Sequence, residues 1–218
     1  MEIIVEGLGE TNVIPNEVIL NLTFVAKNTS YENTLENGIL NVKNFVDNIL
    51  IPNGFNTTDM KTRSFVVREE KKYNEQTRTY IFNGFMFNQN ATLTFDYDKE
   101  RLAKLLVLIS KLENAPLCNV NFGIKEINDC KKSVLALAYN DAKLKAEAIA
   151  SAAGLTLIKC AKVDFKPFTT NYISQSSFER DGAIFKSANI GSVENIVNTF
   201  TPEDVHVSEK LYCLWIAE

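Results

Sequence analysis

Histidine is almost missing from this chain: His206 is the only one in 218 residues. A histidine pair for a metal is therefore excluded, as is any acid–base scheme that needs two imidazoles. His206 stands in an alternating, strand-like run and reads as structural or exposed, because a general base needs an orienting partner. Cysteine is sparse too. Cys118, Cys130, Cys160 and Cys213 include no C-x-x-C pair, which excludes the usual zinc and thioredoxin-like spacings. Cys118 and Cys160 lie in apolar runs and are expected to pack as small hydrophobes. Positive charge is not in excess. The 23 Lys and Arg against 27 Asp and Glu leave a net charge of −4, the wrong sign for a surface that tracks phosphates. Nucleic acid is thus not an expected partner. No apolar run reaches the length of a membrane-spanning helix.

Recognisable nucleotide motifs are missing as well. Gly7-Leu8-Gly9 opens like a dinucleotide fingerprint, but Asn12 stands where the third glycine belongs, and a strand rather than a helix follows. The two glycines are expected to mark a bend or bulge between strands. Asp96 and Asp98 lie at a helix start, where carboxylates cap and complement the dipole. The mixed run Arg68-Glu69-Glu70-Lys71-Lys72 reads as a solvated strand end. No catalytic, cofactor-binding or metal-binding residue is assigned, and no cofactor is expected. The start Met1-Glu2-Ile3-Ile4-Val5-Glu6 has neither a basic segment nor a long apolar one. The expected location is the cytoplasm, or the periplasm or cell envelope if a leader has been removed.

What is present is alternation between two hydrophobic periods. Val18, Leu20, Leu22, Phe24 and Ala26 occupy every second position, as in a half-buried strand. Thr29-Ser30-Tyr31-Glu32 has capping-box form. Leu35, Ile39, Val42, Val46 and Ile49 then follow at helical spacing, closed by Pro52 and Gly54. Gly38, inside this helix, costs about 1 kcal/mol against alanine, and its missing side chain suits close packing. Two long strands are expected over 57–73 and 77–95, joined at Asn74-Glu75-Gln76. Along the second, Tyr80 and Phe82 are even-numbered while Phe85, Phe87, Ala91, Leu93 and Phe95 are odd. Gly84, at the switch, is expected to form a bulge that re-aims the strand. Asp98 caps a second helix carrying Leu102, Leu105, Leu106, Ile109 and Leu112. An alternating strand follows, with Cys118, Val120, Phe122 and Ile124 on one face.

The order strand-helix-strand-strand-helix-strand over 14–127 is the split βαβ, ferredoxin-like arrangement. The expected fold is therefore α+β, with 14–127 as one subdomain. Residues 1–13 with 128–218 form a second, small α/β unit. Its long helix, 129–153, has a stripe of Leu135, Ala138, Ala142, Ala146, Ile149 and Ala153, ends at Gly154, and is small enough to approach a sheet closely. Its strands are expected at 155–165 and 205–216. The last of these, with the sole tryptophan, should pair with 155–165 and with residues 2–10. Residues 166–200 read as a long mobile loop.

Taken in order, these features resemble the SIMPL domain family, a domain of unknown function, over nearly the whole chain. Gly7 and Gly9 followed by Pro15-Asn16-Glu17 resemble the family's Gly-x-Gly and later Pro-Asp pair, with Asn16 in place of Asp. Gly54-Phe55, Asp59-Met60-Lys61-Thr62, Gly84-Phe85 and Phe122 fall at matching steps. The most specific segment is 138–154, where Ala138, Asp141, Ala142, Lys145, Ala146, Ala150, Ala153 and Gly154 follow the family's Ala-rich helix. Pro202 and Val205 to Val207 resemble its closing strand. The resemblance implies an α+β fold without catalytic residues. It also implies relatives that are often exported to the bacterial envelope, some of them linked to stress defence. One relative assembles into a large ring and an animal one binds a signalling kinase. The chain's style, rich in Asn, Ile and Lys, suits a low-GC bacterium.

The function expected is that of a non-enzymatic protein that self-assembles into a homo-oligomer or binds a protein partner, with a stress-related role. The alternative is a small-molecule binding module with the 166–200 loop as its lid. The hairpin over 57–95 is longer than a ferredoxin-like sheet needs and carries Tyr73, Tyr80, Ile81 and Phe82, which makes it the expected assembly element.

Overall fold

A computed structural model of the chain describes residues 1–167, 183–185 and 201–218. Two units are distinguished, each with its own core. One holds 1–15, 124–167 and 203–218, and the other holds 16–123 with 183–185 and 201–202. The dividing lines fall after Pro15 and Gly123, where the sequence reading drew them at 14 and 127.

The larger unit is built from β2 (Glu17–Asn28), α1 (Tyr31–Phe45), β3 (Met60–Asn74), β4 (Thr79–Asp96), α2 (Lys99–Ser110) and β5 (Leu117–Gly123), with β1 (Glu2–Val13) belonging to the other unit. Its strand order is β3-β4-β2-β5, with β2 antiparallel to both β4 and β5. This is the ferredoxin-like arrangement that the element order implies. Alternation places Val18, Leu20, Leu22 and Phe24 of β2, with Phe87, Ala91, Leu93 and Phe95 of β4, in the core against Phe45, Leu102 and Leu105 of the helices.

Three local expectations shift by small amounts. Ser30, not Thr29, caps α1: its Oγ accepts the Asn33 N–H at 3.5 Å, so Glu32 falls one position short of the reciprocal capping-box contact. The buried line of α1 is Thr34, Gly38 and Phe45, and Ile39 is exposed. The reason is Gly38. A Cβ there would run into the Phe87 ring, so the helix lies on that ring with its glycine and turns Ile39 outward. Pro52 has no N–H for the helical ladder. The chain leaves α1 through a wide turn over Val46–Leu50 and a tight one over Ile51–Asn53, and Gly54 takes φ 77. Asp98 caps α2 as expected, its Oδ1 accepting from Glu100 N at 2.9 Å and Arg101 N at 3.1 Å.

Gly84 is the bulge. The β3–β4 register slips between Glu69 and Lys71, opposite Phe85 and Phe82, and Gly84 has φ 98. The hairpin turn spans 75–78 rather than beginning at Asn74, which ends β3 and accepts from Gln76 N at 2.9 Å.

The smaller unit is a three-stranded antiparallel sheet in the order β1-β8-β6, covered by α3 (Ile127–Ala152). Its other strands are β6 (Leu157–Asp164) and β8 (Val205–Ala217), so the expected pairing of the last strand with both neighbours holds. The buried stripe of α3 is Val134, Ala138, Ala142, Ala146 and Ala150; of the other expected positions, Leu135 packs half-buried against the same core and Ile149 is exposed. Ala153 caps the helix and Gly154 follows with φ 72. Of the loop expected over 166–200, Ala183–Phe185 forms β7, paired with β5 of the larger unit. Residues 168–182 and 186–200 lie outside the described residues.

Candidate functional site

The opening glycines can be judged first. β1 is continuous from Glu2 to Val13 and pairs in unbroken register with β8, so Gly7 and Gly9 make neither bend nor bulge. Their role is close approach. A Cβ on Gly7 would collide with the Ala138 carbonyl oxygen and come within 2.7 Å of the Ala142 Cβ; one on Gly9 would meet the Val134 carbonyl oxygen. Strand and helix touch backbone to backbone, with alanine on one side and glycine on the other. The signal was in the sequence as two separate small-residue patterns, but nothing there said that they face each other.

Polar groups finish this contact. Asp141 accepts the Leu8 N–H at 2.8 Å and Lys145 Nζ at 2.6 Å, while Lys145 also donates to the Glu6 carbonyl at 3.0 Å. The Asp141 carboxyl is held below its usual range by Lys145 first and the Leu8 amide second. β1 is the outermost strand of its sheet, so one turn of helix satisfies backbone groups that a further strand would use. On the neighbouring strand pair, Lys210 approaches Glu6 at 3.0 Å and lowers the Glu6 carboxyl, with Tyr212 adding to the effect.

The residues singled out for chemistry stay apart. His206 lies on an exposed stretch of β8 with Nδ1 3.0 Å from Asn12 Oδ1, an amide rather than a carboxylate. Cys118 is buried in β5, its thiol pushed up to about 12 by burial. Among the described residues, no group of three or more His, Cys, Asp or Glu is placed to hold a metal, and no helix is long and apolar enough to cross a membrane. The lid of the alternative reading falls mostly outside the described residues.

The distal hairpin presents the clearest candidate surface. β2 pairs with β4 only as far as Asn28 opposite Phe85, whereas β3 and β4 continue to Asn74 opposite Thr79. The last part of the hairpin is therefore two-stranded, and β3 is the outermost strand of its sheet. Aromatic rings line this part. Phe82 packs edge-on against Phe85 at 5.4 Å, Phe85 against Tyr31 at 5.5 Å, and Tyr73 against Tyr80 at 5.2 Å. Tyr80 is nonetheless 70% exposed and Phe82 51%. The bulge at Gly84 sets this row. The run Arg68–Lys72 lies alongside, with Glu70 held by Lys27 at 2.7 Å and Lys71 3.8 Å from Glu69.

Fold and surface together define an α+β protein with a ferredoxin-like unit, a helix-covered three-stranded sheet and an aromatic hairpin reaching past its sheet. The chain belongs to the SIMPL family, described as a protein of unknown function (DUF541), whose family model matches residues 3–208. No curated protein matches the chain.

Proposed function

We propose that this chain is a non-enzymatic interaction protein whose partner is a second copy of itself, joined through the distal β3–β4 hairpin. The observation that carries this reading is the exposed aromatic row of Tyr73, Tyr80 and Phe82 on a two-stranded projection whose outer strand ends the sheet. A two-stranded ribbon is marginal in water by itself, and covering it gives backbone and rings a partner. The charges of Arg68 to Lys72 then restrict pairing to particular registers, which favours closed association over open aggregation. The pairing of His206 with the Asn12 amide rather than with an orienting carboxylate supports the non-enzymatic part of the reading. The stress-linked role implied by the family resemblance belongs to the same proposal.

Size exclusion with light scattering tests it. The parent chain is expected to elute with a multiple of the 24.5 kDa protomer mass. The double variant Tyr80→Asp, Phe82→Asp is expected to shift to a smaller species with its fold intact. A monomeric parent at high micromolar concentration, or a variant of unchanged mass, rejects the hairpin as the joint.

A further inference from the structure

Two of the four free cysteines share one side of one sheet. Along β8, Leu211, Cys213, Trp215 and Ala217 alternate into the core beneath α3. Cys160 of β6 stands directly opposite Trp215 and packs against the same cluster. Opposed residues of an antiparallel pair project to the same face, and so do their diagonal neighbours. Cys160 and Cys213 are such a diagonal pair. The register slips by one residue just after Cys160, and its Sγ lies 3.5 Å from the Lys162 carbonyl. Burial first and Cys160 second raise the Cys213 thiol, and both thiols add to the burial that raises the Tyr139 hydroxyl on α3. Access separates them: Cys213 is wholly buried and Cys160 half-buried.

We propose that Cys160 and Cys213 are a redox-responsive pair that hydrogen peroxide converts into a cross-strand disulfide. Cys160, the accessible member, reacts first. Its thiolate sulfur attacks one peroxide oxygen, an S–O bond forms as the O–O bond breaks, and the departing hydroxide leaves as water, giving a sulfenic acid. The Cys213 sulfur then attacks the Cys160 sulfur. The S–S bond forms, the S–O bond breaks, and the hydroxyl leaves as water with the Cys213 proton. In sum, two thiols and one peroxide give one disulfide and two waters. Burial first, and the Cys160 thiol second, raise the Cys213 thiol to about 11, so it is the poorer first attacker, and its attack on the oxidised Cys160 sulfur requires loss of its own proton. The closed bond ties β6 to β8 and encloses residues 161–212 in a covalent ring.

The test uses the full chain, reduced, freed of reductant and titrated with hydrogen peroxide. The intact mass is expected to fall by two hydrogens, and a non-reducing peptide map should join the peptides carrying Cys160 and Cys213. Trp215, the sole tryptophan, stands opposite Cys160, so its emission should drop on oxidation and return with dithiothreitol. In Cys160→Ser the emission should stay level under peroxide. Oxygen added at Cys160 without a cross-link, a bond to Cys118 or Cys130, or thiols left intact each overturn the proposal. So does an emission drop that persists in Cys160→Ser. The peptide map on the parent decides the matter even where the variant fails to fold.

Discussion

Gly38 lies mid-helix, where intrinsic propensity favours alanine by about 1 kcal/mol. Packing opposes it, because the added Cβ meets the Phe87 ring of a fully buried side chain, and overpacking a tight core costs about 1–3 kcal/mol. The second effect is the larger. Gly38→Ala is therefore expected to destabilise, and a urea midpoint raised above the parent's would show that α1 does not rest on Phe87. Gly7→Ala should cost at least as much, because the obstacle there is the Ala138 backbone, which yields less than a ring. The reason for each glycine is local to one contact and has nothing to do with ligand binding.

Asp141 and Lys145 show how an element manages its exposed edge. Their side chains take the Leu8 N–H and the Glu6 carbonyl, so helix α3 guards the margin of β1. A carboxyl depressed below its ordinary 3.8 stabilises the folded chain above that value. The contribution is lost as pH falls from about 5 to below the folded pKa, because the unfolded chain then binds the proton more readily. Asp141 is half-buried, its side chain 35% exposed, so solvent screening limits the effect to about 0.2–1 kcal/mol. Asp141→Asn should be less stable than the parent near neutrality, and the two should converge under acid conditions. A stability gap that stays constant across that range would assign the contact to shape alone. The Glu6 carboxyl, lowered mainly by Lys210, adds an acid dependence of the same sign that the Asp141→Asn variant retains.

At the scale of the whole molecule, the two cores make separate demands. One is dominated by large side chains, among them Phe24, Phe45 and Phe87. The other holds a stripe of alanines against a strand with glycines. Cooperative opening follows such cores. Hydrogen exchange read by mass spectrometry should show Gly38→Ala raising exchange mainly in β2, β4 and α1. Gly7→Ala should raise it mainly in β1, β8 and α3. Equal loosening of both sets by either variant would mean that the chain opens as one cooperative body.

Much of this organisation was already legible in the sequence, because it depends on neighbours along the chain. The period-two run from Val18 to Ala26, the Asp98 cap and the phase change at Gly84 each express a local rule of backbone or side-chain direction, and the α+β order followed from them. The helix stripes were legible only to within a residue. Ile39 and Ile149 satisfied the period as well as their neighbours did, and both are exposed because a glycine or alanine gave the closer contact. Three things required the tertiary structure. Gly7 and Gly9 acquire their reason from a helix whose Asp141 is 133 positions beyond Leu8. Cys160 and Cys213 come to one face of one sheet only because β6 and β8 pair in one register. The aromatic row of the hairpin is a surface because β2 ends at Asn28 while β3 and β4 run on. Local rules set which way a side chain points, but backbone approach, thiol proximity and exposure depend on which distant segment arrives, and that is decided by packing.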